Sequence, residues 1–185
     1  MGVPAVFLDR DGVVIENRSA YVRKWEDVLF FERSLQALAE LSGRPYKVIV
    51  VTNQAGIGRG LVSESEALRI GNLLVAEIAA RGGRIDGVYM CPHTPEDACA
   101  CRKPLPGLIL EAAAAHDIDL TNSILIGDAV TDLQAAIAAG IPTYALVQTG
   151  RGAEQETFLR DLDLGEAGVF EDLKAALDDL LKFEG

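Results

Sequence analysis

Two aspartates separated by a single residue, Asp9 and Asp11, follow directly on the apolar run Ala5-Val6-Phe7-Leu8, and Gly12 comes next. Such a run reads as a buried strand delivering carboxylates to its carboxyl end, where open α/β sheets bind ligands. Asp and Gly also favour turns, so the pair alone is compatible with an ordinary strand-ending turn. Two carboxylates this close are costly unless something positive joins them, and a divalent cation and a lysine are the usual answers. Other polar residues close other apolar runs. Thr52-Asn53-Gln54 follows Val48-Ile49-Val50-Val51, and Asp128 follows Ile124-Leu125-Ile126-Gly127. Lys103, within Arg102-Lys103-Pro104, is the best-placed cation. A carboxylate nucleophile, a second acid beside it, a metal-binding acid and a lysine make a set suited to phosphoryl transfer. Repulsion between an anionic nucleophile and an anionic phosphoryl group is the barrier to be removed. Mg²⁺ shared between an aspartate and a phosphate oxygen removes much of it, and a lysine removes more. The Thr52 hydroxyl and backbone N–H groups after Asn53 could hold the remaining phosphoryl oxygens.

A second constellation is Cys91-x-His93-x₅-Cys99-x-Cys101, which gathers all three cysteines and one of the two histidines. Three thiolates and an imidazole suit tetrahedral Zn²⁺ with no open position, hence a structural metal. The bland alternatives are a reduced surface loop or a redox pair. Because Arg102 and Lys103 directly follow Cys101, ordering this loop would also aim those cations at the site. His116 lies at the end of a helical stretch, where a favourable dipole contact explains it.

These groups need strands to bring them together. Apolar runs predict strands near 6–8, 46–51, 86–90, 123–126 and 142–147, with a last short one at 169–170. Helical spacing falls between them, at 34–41, 63–80, 106–116, 131–139 and 173–183, with Ser63 and Glu66 placed as in a capping box. This alternation predicts an α/β fold: a doubly wound, mostly parallel sheet with helices on both faces. One domain is expected over residues 1–185. Parallel strands in register would carry Asp9, Asp11, Thr52, Asn53 and Asp128 to one edge of the sheet. The stretch 15–31 reads as a loop or hairpin whose Tyr21, Trp25, Phe30 and Phe31 either partly cover the site or pack on the body of the domain. Gly56, Gly58 and Gly60 mark another loop, which carries Arg59.

Composition sets limits. The 185 residues are 49% hydrophobic and 24% charged, as in ordinary globular proteins. The net charge of -11 disfavours nucleic acid or an anionic membrane as the main partner. A small anionic substrate stays open, since a local site can be cationic on an acidic protein. With no basic-then-apolar leader and no run of membrane-spanning length, a cytoplasmic location is expected. The lack of an obvious apolar surface helix points to a monomer.

In order along the chain, Asp9-Arg10-Asp11-Gly12-Val13, Thr52-Asn53-Gln54, Arg102-Lys103-Pro104 and Gly127-Asp128-xxx-Asp132 resemble the four motifs of haloacid-dehalogenase-like phosphatases. The resemblance spans Val6 to about Gly152. It implies that Asp9 is the nucleophile that becomes aspartyl phosphate, and that Asp11 is the general acid and then the base. It implies phosphoryl binding by Thr52, Asn53 and Lys103, and Mg²⁺ binding by Asp9, Asp128 and the backbone carbonyl of Asp11. Asp132 could orient Lys103 or cap its helix. No insertion is long enough for a large cap domain. The zinc loop resembles the branch of heptose-bisphosphate and histidinol-phosphate phosphatases, and Thr52–Gly60 resembles the heptose-bisphosphate form. The substrate this implies is a small phosphorylated sugar, with histidinol phosphate as the rival. A polynucleotide 3′-phosphatase uses similar first motifs, but the acidic composition argues against it. An inert zinc-bearing binding module would leave the ordered acids and lysine unexplained. Ala129 departs from the pattern, because many heptose-bisphosphate members carry a substrate-touching lysine there. That leaves Arg102 and Arg59 as the evident specificity cations.

Overall fold

The computed structural model describes residues 2–159, 162, 164 and 167–182. The four residues of β1 (Ala5–Leu8) are wholly buried, as an apolar run without charges should be at the centre of a sheet. The chain continues through α1 (Glu32–Leu41), β2 (Lys47–Asn53), the short α2 (Ala55–Gly58), α3 (Glu64–Ala80) and β3 (Gly87–Cys91). It then runs through α4 (Gly107–His116), β4 (Ile124–Gly127), α5 (Val130–Ala139), β5 (Thr143–Val147), α6 (Gly152–Leu159), β6 (Gly168–Phe170) and α7 (Leu173–Leu180). All pairings are parallel, in the order β3-β2-β1-β4-β5-β6. The chain winds outward from β1 to β3, returns to the middle, and winds outward again from β4 to β6. Winding reverses between β1 and β4, and a crevice at the carboxyl ends of such strands is the ligand position of this architecture.

Alternation along β1 assigns the two layers. Val6 and Leu8 join a core with Leu35 and Leu38 of α1, Ile70, Leu74 and Ile78 of α3, and Leu173 and Leu177 of α7. Ala5 and Phe7 join the opposite core, with Leu108, Ile109 and Ala112 of α4 and Ala135 and Ala136 of α5. Each fully buried Leu or Ile contributes roughly 1.5–3 kcal/mol, so the helices are held by their apolar faces more than by propensity. Register does the rest. Leu8 pairs with Val50 and with Ile126, so the residues after all three strands emerge side by side.

Several elements differ from the sequence expectation. β2 runs on through Thr52 and Asn53, because β3 continues beside it to pair Met90 and Cys91 with them. The expected glycine loop contains the short α2. α6 was not foreseen; most of its residues are exposed or half-buried and supply no apolar stripe. The end expected for the last helix, Phe183, lies outside the described residues. The segment after β1 is closed at its base by an antiparallel bridge from Ile15 to Phe30, and Glu16 N–H donates to Leu29 O at 2.8 Å. Trp25 and Phe30 meet edge to face at 6.2 Å and pack on the core, whereas Tyr21 lines the cavity above the strand ends. Among the described residues, no helix is long and apolar enough to cross a membrane.

Candidate active site

The centre of the site is a buried cation among buried acids. Lys103 Nζ lies 2.9 Å from Asp9 Oδ1 and 2.6 Å from Asp132 Oδ1, and donates to Val51 O at 2.7 Å. Burial disfavours the ammonium charge, but Asp132 and Asp9 outweigh it and hold the lysine above its usual range. Asp9 experiences the reverse balance. Burial, only partly countered by Lys103, pushes its carboxyl up to about 7, and Asp132, Asp128 and Asp11 add to the rise. Burial also raises Asp128, against the pull of Arg151.

Each of these side chains has an identifiable support. Asp9 N–H donates to Ile126 O at 3.0 Å, fixing the nucleophile candidate to the end of β4. Asn53 clamps the backbone of Lys103 from both sides: its Nδ2 donates to Lys103 O at 3.0 Å, and its Oδ1 accepts from Lys103 N–H at 3.1 Å. Both polar atoms of its side chain thus engage the lysine's backbone, and Asn53 also lines the cavity. Asp132 performs both tasks that the sequence left open, pairing with Lys103 and accepting from Ala129 N–H at 3.1 Å at the start of α5. Gly12 and Gly150, both with positive φ, pack against each other beside Asp128. A Cβ on Gly12 would sit 2.1 Å from Asp128 Oδ2, and one on Gly150 would sit 2.5 Å from it.

Asp11 receives its positive partner from its own neighbour. Arg10, which is buried, donates from Nε and from a terminal nitrogen to Asp11 at 3.1 and 3.0 Å, and from the same terminal nitrogen to Gln54 Oε1 at 3.0 Å. Gln54 Nε2 donates to Asp11 Oδ2 at 2.8 Å and to Thr52 Oγ1 at 2.7 Å. The positive partner expected from lysine or metal is, for this acid, an arginine. Arg10 and Gln54 were missed by sequence reasoning, as were Asn17 and Arg151. Asn17 Nδ2 donates to Asp128 Oδ2 at 2.6 Å, and an Arg151 terminal nitrogen lies 3.1 Å from Asp128 Oδ1. Gln54 had a signal, standing two residues past Thr52 at a strand end. The other three are recognisable only through tertiary contacts.

Carboxylate oxygens of Asp9, Asp128 and Asp132 lie within 4.8 Å of one another. Three buried acids against Lys103 and Arg151 still leave one negative charge over, and an all-oxygen donor set fits a hard divalent cation such as Mg²⁺. Asp132 is already engaged by Lys103, so Asp9 and Asp128 are the ligand candidates. Of the expected residues, Asp9, Asp11, Thr52, Asn53, Arg59, Arg102 and Lys103 line one cavity of about 640 Å³, and Asp128 lies buried beside it.

The cysteine loop converges as its spacing suggests. Cys101 Sγ is 3.1 Å from Cys91 Sγ and 3.5 Å from Cys99 Sγ, with Cys91 and Cys99 3.6 Å apart. His93 Nδ1 lies 3.2 Å from Cys101 Sγ and 3.6 Å from Cys91 Sγ. A tetrahedron with zinc–sulfur bonds of about 2.3 Å has edges of roughly 3.8 Å, so the four donors fit Zn²⁺ with little adjustment. The thiols are free. Against burial, the Arg102 N–H and neighbouring thiols bring Cys99 down to about 7, while burial and the other two sulfurs push Cys101 up to about 12. All three ionise together only around a cation. The loop is tied to the site. Gln54 N–H donates to Cys91 O at 2.7 Å, and Arg102 donates to His93 O at 3.2 Å. His116, the last residue of α4, lies edge-on to Tyr89 at 6.1 Å.

A doubly wound sheet with Asp9, Lys103, Asp128 and Asp132 converging at its switch point defines a hydrolase of the haloacid-dehalogenase-like class. A family model described as HAD-hydrolase-like matches residues 100–176. A Bordetella bronchiseptica D-glycero-beta-D-manno-heptose-1,7-bisphosphate 7-phosphatase is 40% identical over 178 residues, 96% of this chain and 97% of that one. The Photorhabdus laumondii enzyme of the same name is 41% identical over 162 residues, covering 84% and 86%. A crystal structure of D,D-heptose 1,7-bisphosphate phosphatase from B. bronchiseptica, complexed with magnesium and phosphate, superposes with a TM-score of 0.89 at 40% identity, covering 98% and 99%. The chain belongs to this family of heptose-bisphosphate phosphatases within the haloacid-dehalogenase-like hydrolases.

Proposed function

We propose that the protein is a Mg²⁺-dependent phosphatase that removes the 7-phosphate of D-glycero-D-manno-heptose 1,7-bisphosphate through an aspartyl-phosphate intermediate. The observation that carries this reading is Asp9: a buried carboxylate held 2.9 Å from Lys103 at the end of the central strand, with Asp128 beside it. Asp9 attacks phosphorus, and the ester oxygen leaves with a proton from Asp11. Asp11 then takes a proton from water, which attacks the aspartyl phosphate, frees phosphate and restores Asp9. Thr52 Oγ1, backbone N–H groups beyond Gln54, and Lys103 hold the phosphoryl oxygens, while the Asn53 side chain keeps Lys103 in place. Mg²⁺ held by Asp9, Asp128 and the Asp11 carbonyl supplies charge neutralisation for attack on an anion. Arg102 and Arg59 face the rest of the substrate across the cavity. Cys91, His93, Cys99 and Cys101 hold a structural Zn²⁺. One active site per chain, a monomer and a cytoplasmic location complete the reading, the last supported by free thiols.

The deciding experiment compares kcat/KM for heptose 1,7-bisphosphate, histidinol phosphate and a simple sugar monophosphate with Mg²⁺ present. The bisphosphate is expected to lead. A preference for histidinol phosphate would overturn the substrate and leave the chemistry standing.

A further inference from the structure

Arg10 is a buried charge beside the nucleophile that the chemistry above does not use. A guanidinium so placed must be matched by acceptors, and two side chains supply them. Its Nε donates to Asp11 Oδ2 at 3.1 Å, and one terminal nitrogen donates to Asp11 Oδ1 and to Gln54 Oε1, each at 3.0 Å. The fork grips both oxygens of the carboxylate, a geometry that an ammonium group does not reproduce. The main chain around it is anchored as well. Val14 and Ile15 N–H donate to Arg10 O at 3.0 and 3.1 Å, and Gln54 N–H donates to Cys91 O at 2.7 Å.

A guanidinium has donors only, so Arg10 also decides which way the Gln54 amide faces. Oε1 turns to Arg10, and Nε2 is thereby delivered to Asp11 Oδ2 at 2.8 Å and to Thr52 Oγ1 at 2.7 Å. The Thr52 oxygen thus already accepts a hydrogen bond, which leaves its own O–H to donate to a phosphoryl oxygen. On Asp11 the two oxygens become unequal. Oδ2 accepts from Arg10 Nε and Gln54 Nε2, with the Arg10 terminal nitrogen 2.9 Å away as well, whereas Oδ1 accepts one bond. Of roughly four lone-pair positions on a carboxylate, the open one therefore lies on Oδ1. Asp11 also lines the cavity, its side chain 21% exposed.

We propose that Arg10 and Gln54 are positioning residues for proton transfer, holding Asp11 so that Oδ1 gives its proton to the leaving oxygen and takes the next from water. This rests on the general acid–base role of Asp11 given above. As the bond from Asp9 to phosphorus forms and the ester P–O bond breaks, a departing alkoxide needs that proton, whereas p-nitrophenolate leaves without one. The test measures kcat/KM for the best alkyl phosphate substrate and for p-nitrophenyl phosphate, with Mg²⁺ saturating. Because kcat/KM covers only the steps through transfer to Asp9, hydrolysis of the intermediate does not enter it. Arg10→Met and Gln54→Met should each lose about 10- to 100-fold on the alkyl phosphate, with a loss at least about tenfold smaller on the aryl phosphate. Arg10→Lys should recover only part of the alkyl rate. Gln54→Met removes no charge and carries the test if Arg10→Met fails to fold. Asp11→Asn is the reference and should show the same selectivity more strongly. Equal losses on both substrates in Asp11→Asn overturn the acid role and the positioning together. With Asp11→Asn selective, equal losses or none in a methionine variant remove that residue from the positioning of Asp11 alone.

Discussion

Lys103 and Asp132 form an ion pair inside the protein, Nζ to Oδ1 at 2.6 Å, with side chains only 3% and 2% exposed. Breaking a buried pair leaves an uncompensated charge, a loss of about 3–5 kcal/mol, whereas an isosteric amide retains hydrogen bonding. Asp132→Leu is therefore expected to lower unfolding free energy by about 3 kcal/mol or more, and Asp132→Asn by about 1–2. Both should lower kcat, because Lys103 would then be held only by Asp9 and the Val51 carbonyl. Urea unfolding and steady-state kinetics measure the two effects. Wild-type kcat in Asp132→Asn would remove Asp132 from the positioning of Lys103.

Asp9 carries a prediction about pH as well as one about turnover. Asp9→Asn should lower kcat by about a thousandfold or more, since the amide cannot form the acyl phosphate. Because burial raises the Asp9 carboxyl to about 7, a proton occupies it below that pH when no cation is bound. Mg²⁺ requires the ionised form, so its affinity should weaken as pH falls below about 7, by up to about tenfold per pH unit, and level off above. Calorimetric titration of Mg²⁺ alone into the protein reads this directly. A flat affinity between about pH 6 and 8 would take Asp9 out of the metal's ligand set.

How far the sequence could reach follows from the range of each interaction. Uncharged apolar runs ending in acids revealed the strands, and alternation with helices implied a parallel sheet, so the meeting of Asp9, Thr52 and Asp128 was legible. The cysteine loop was legible too, because its four donors fall within eleven residues. Arg10 was not. Flanked by two acids, it reads as a surface charge, yet it is buried beneath Asp11 and reaches Gln54, 44 positions away. Asn17 reaches Asp128 across 111 positions, through a loop with no periodic signal. Asn53 stood out at a strand end, but the clamp of its side chain on the backbone of a residue 50 positions on was not legible.

The glycines beside Asp128 separate strain from function. Gly150 has φ of 62°, and a Cβ there would lie 2.4 Å from Gly12 Cα and 2.5 Å from Asp128 Oδ2. Gly140, after α5, has φ of 81° and no atom near its Cβ position. Gly140→Ala should cost about 1 kcal/mol from backbone strain and leave Mg²⁺ binding intact. Gly150→Ala should cost at least as much and weaken Mg²⁺ about tenfold or more, because the methyl group displaces the carboxylate. Equal Mg²⁺ affinity in the two variants would show that Asp128 tolerates displacement or is no ligand.

The cysteine loop makes the last prediction, which concerns the coupling between a structural metal and a catalytic lysine. Cys101 stands two residues before Lys103, and Arg102 between them reaches back to His93 O. Without a cation the crowded sulfurs favour protonation, with Cys101 pushed up to about 12, and the cluster loses its reason to stay closed. Elemental analysis of purified protein should find about one zinc per chain. Cys99→Ser or strong chelation should remove it, and activity should fall with zinc content while Mg²⁺ is kept saturating. The loss should appear as lower kcat, because the Asn53 clamp on Lys103 must then hold the lysine without the loop behind it. A zinc-free protein with full kcat would confine the metal to local stability and break the link to Lys103.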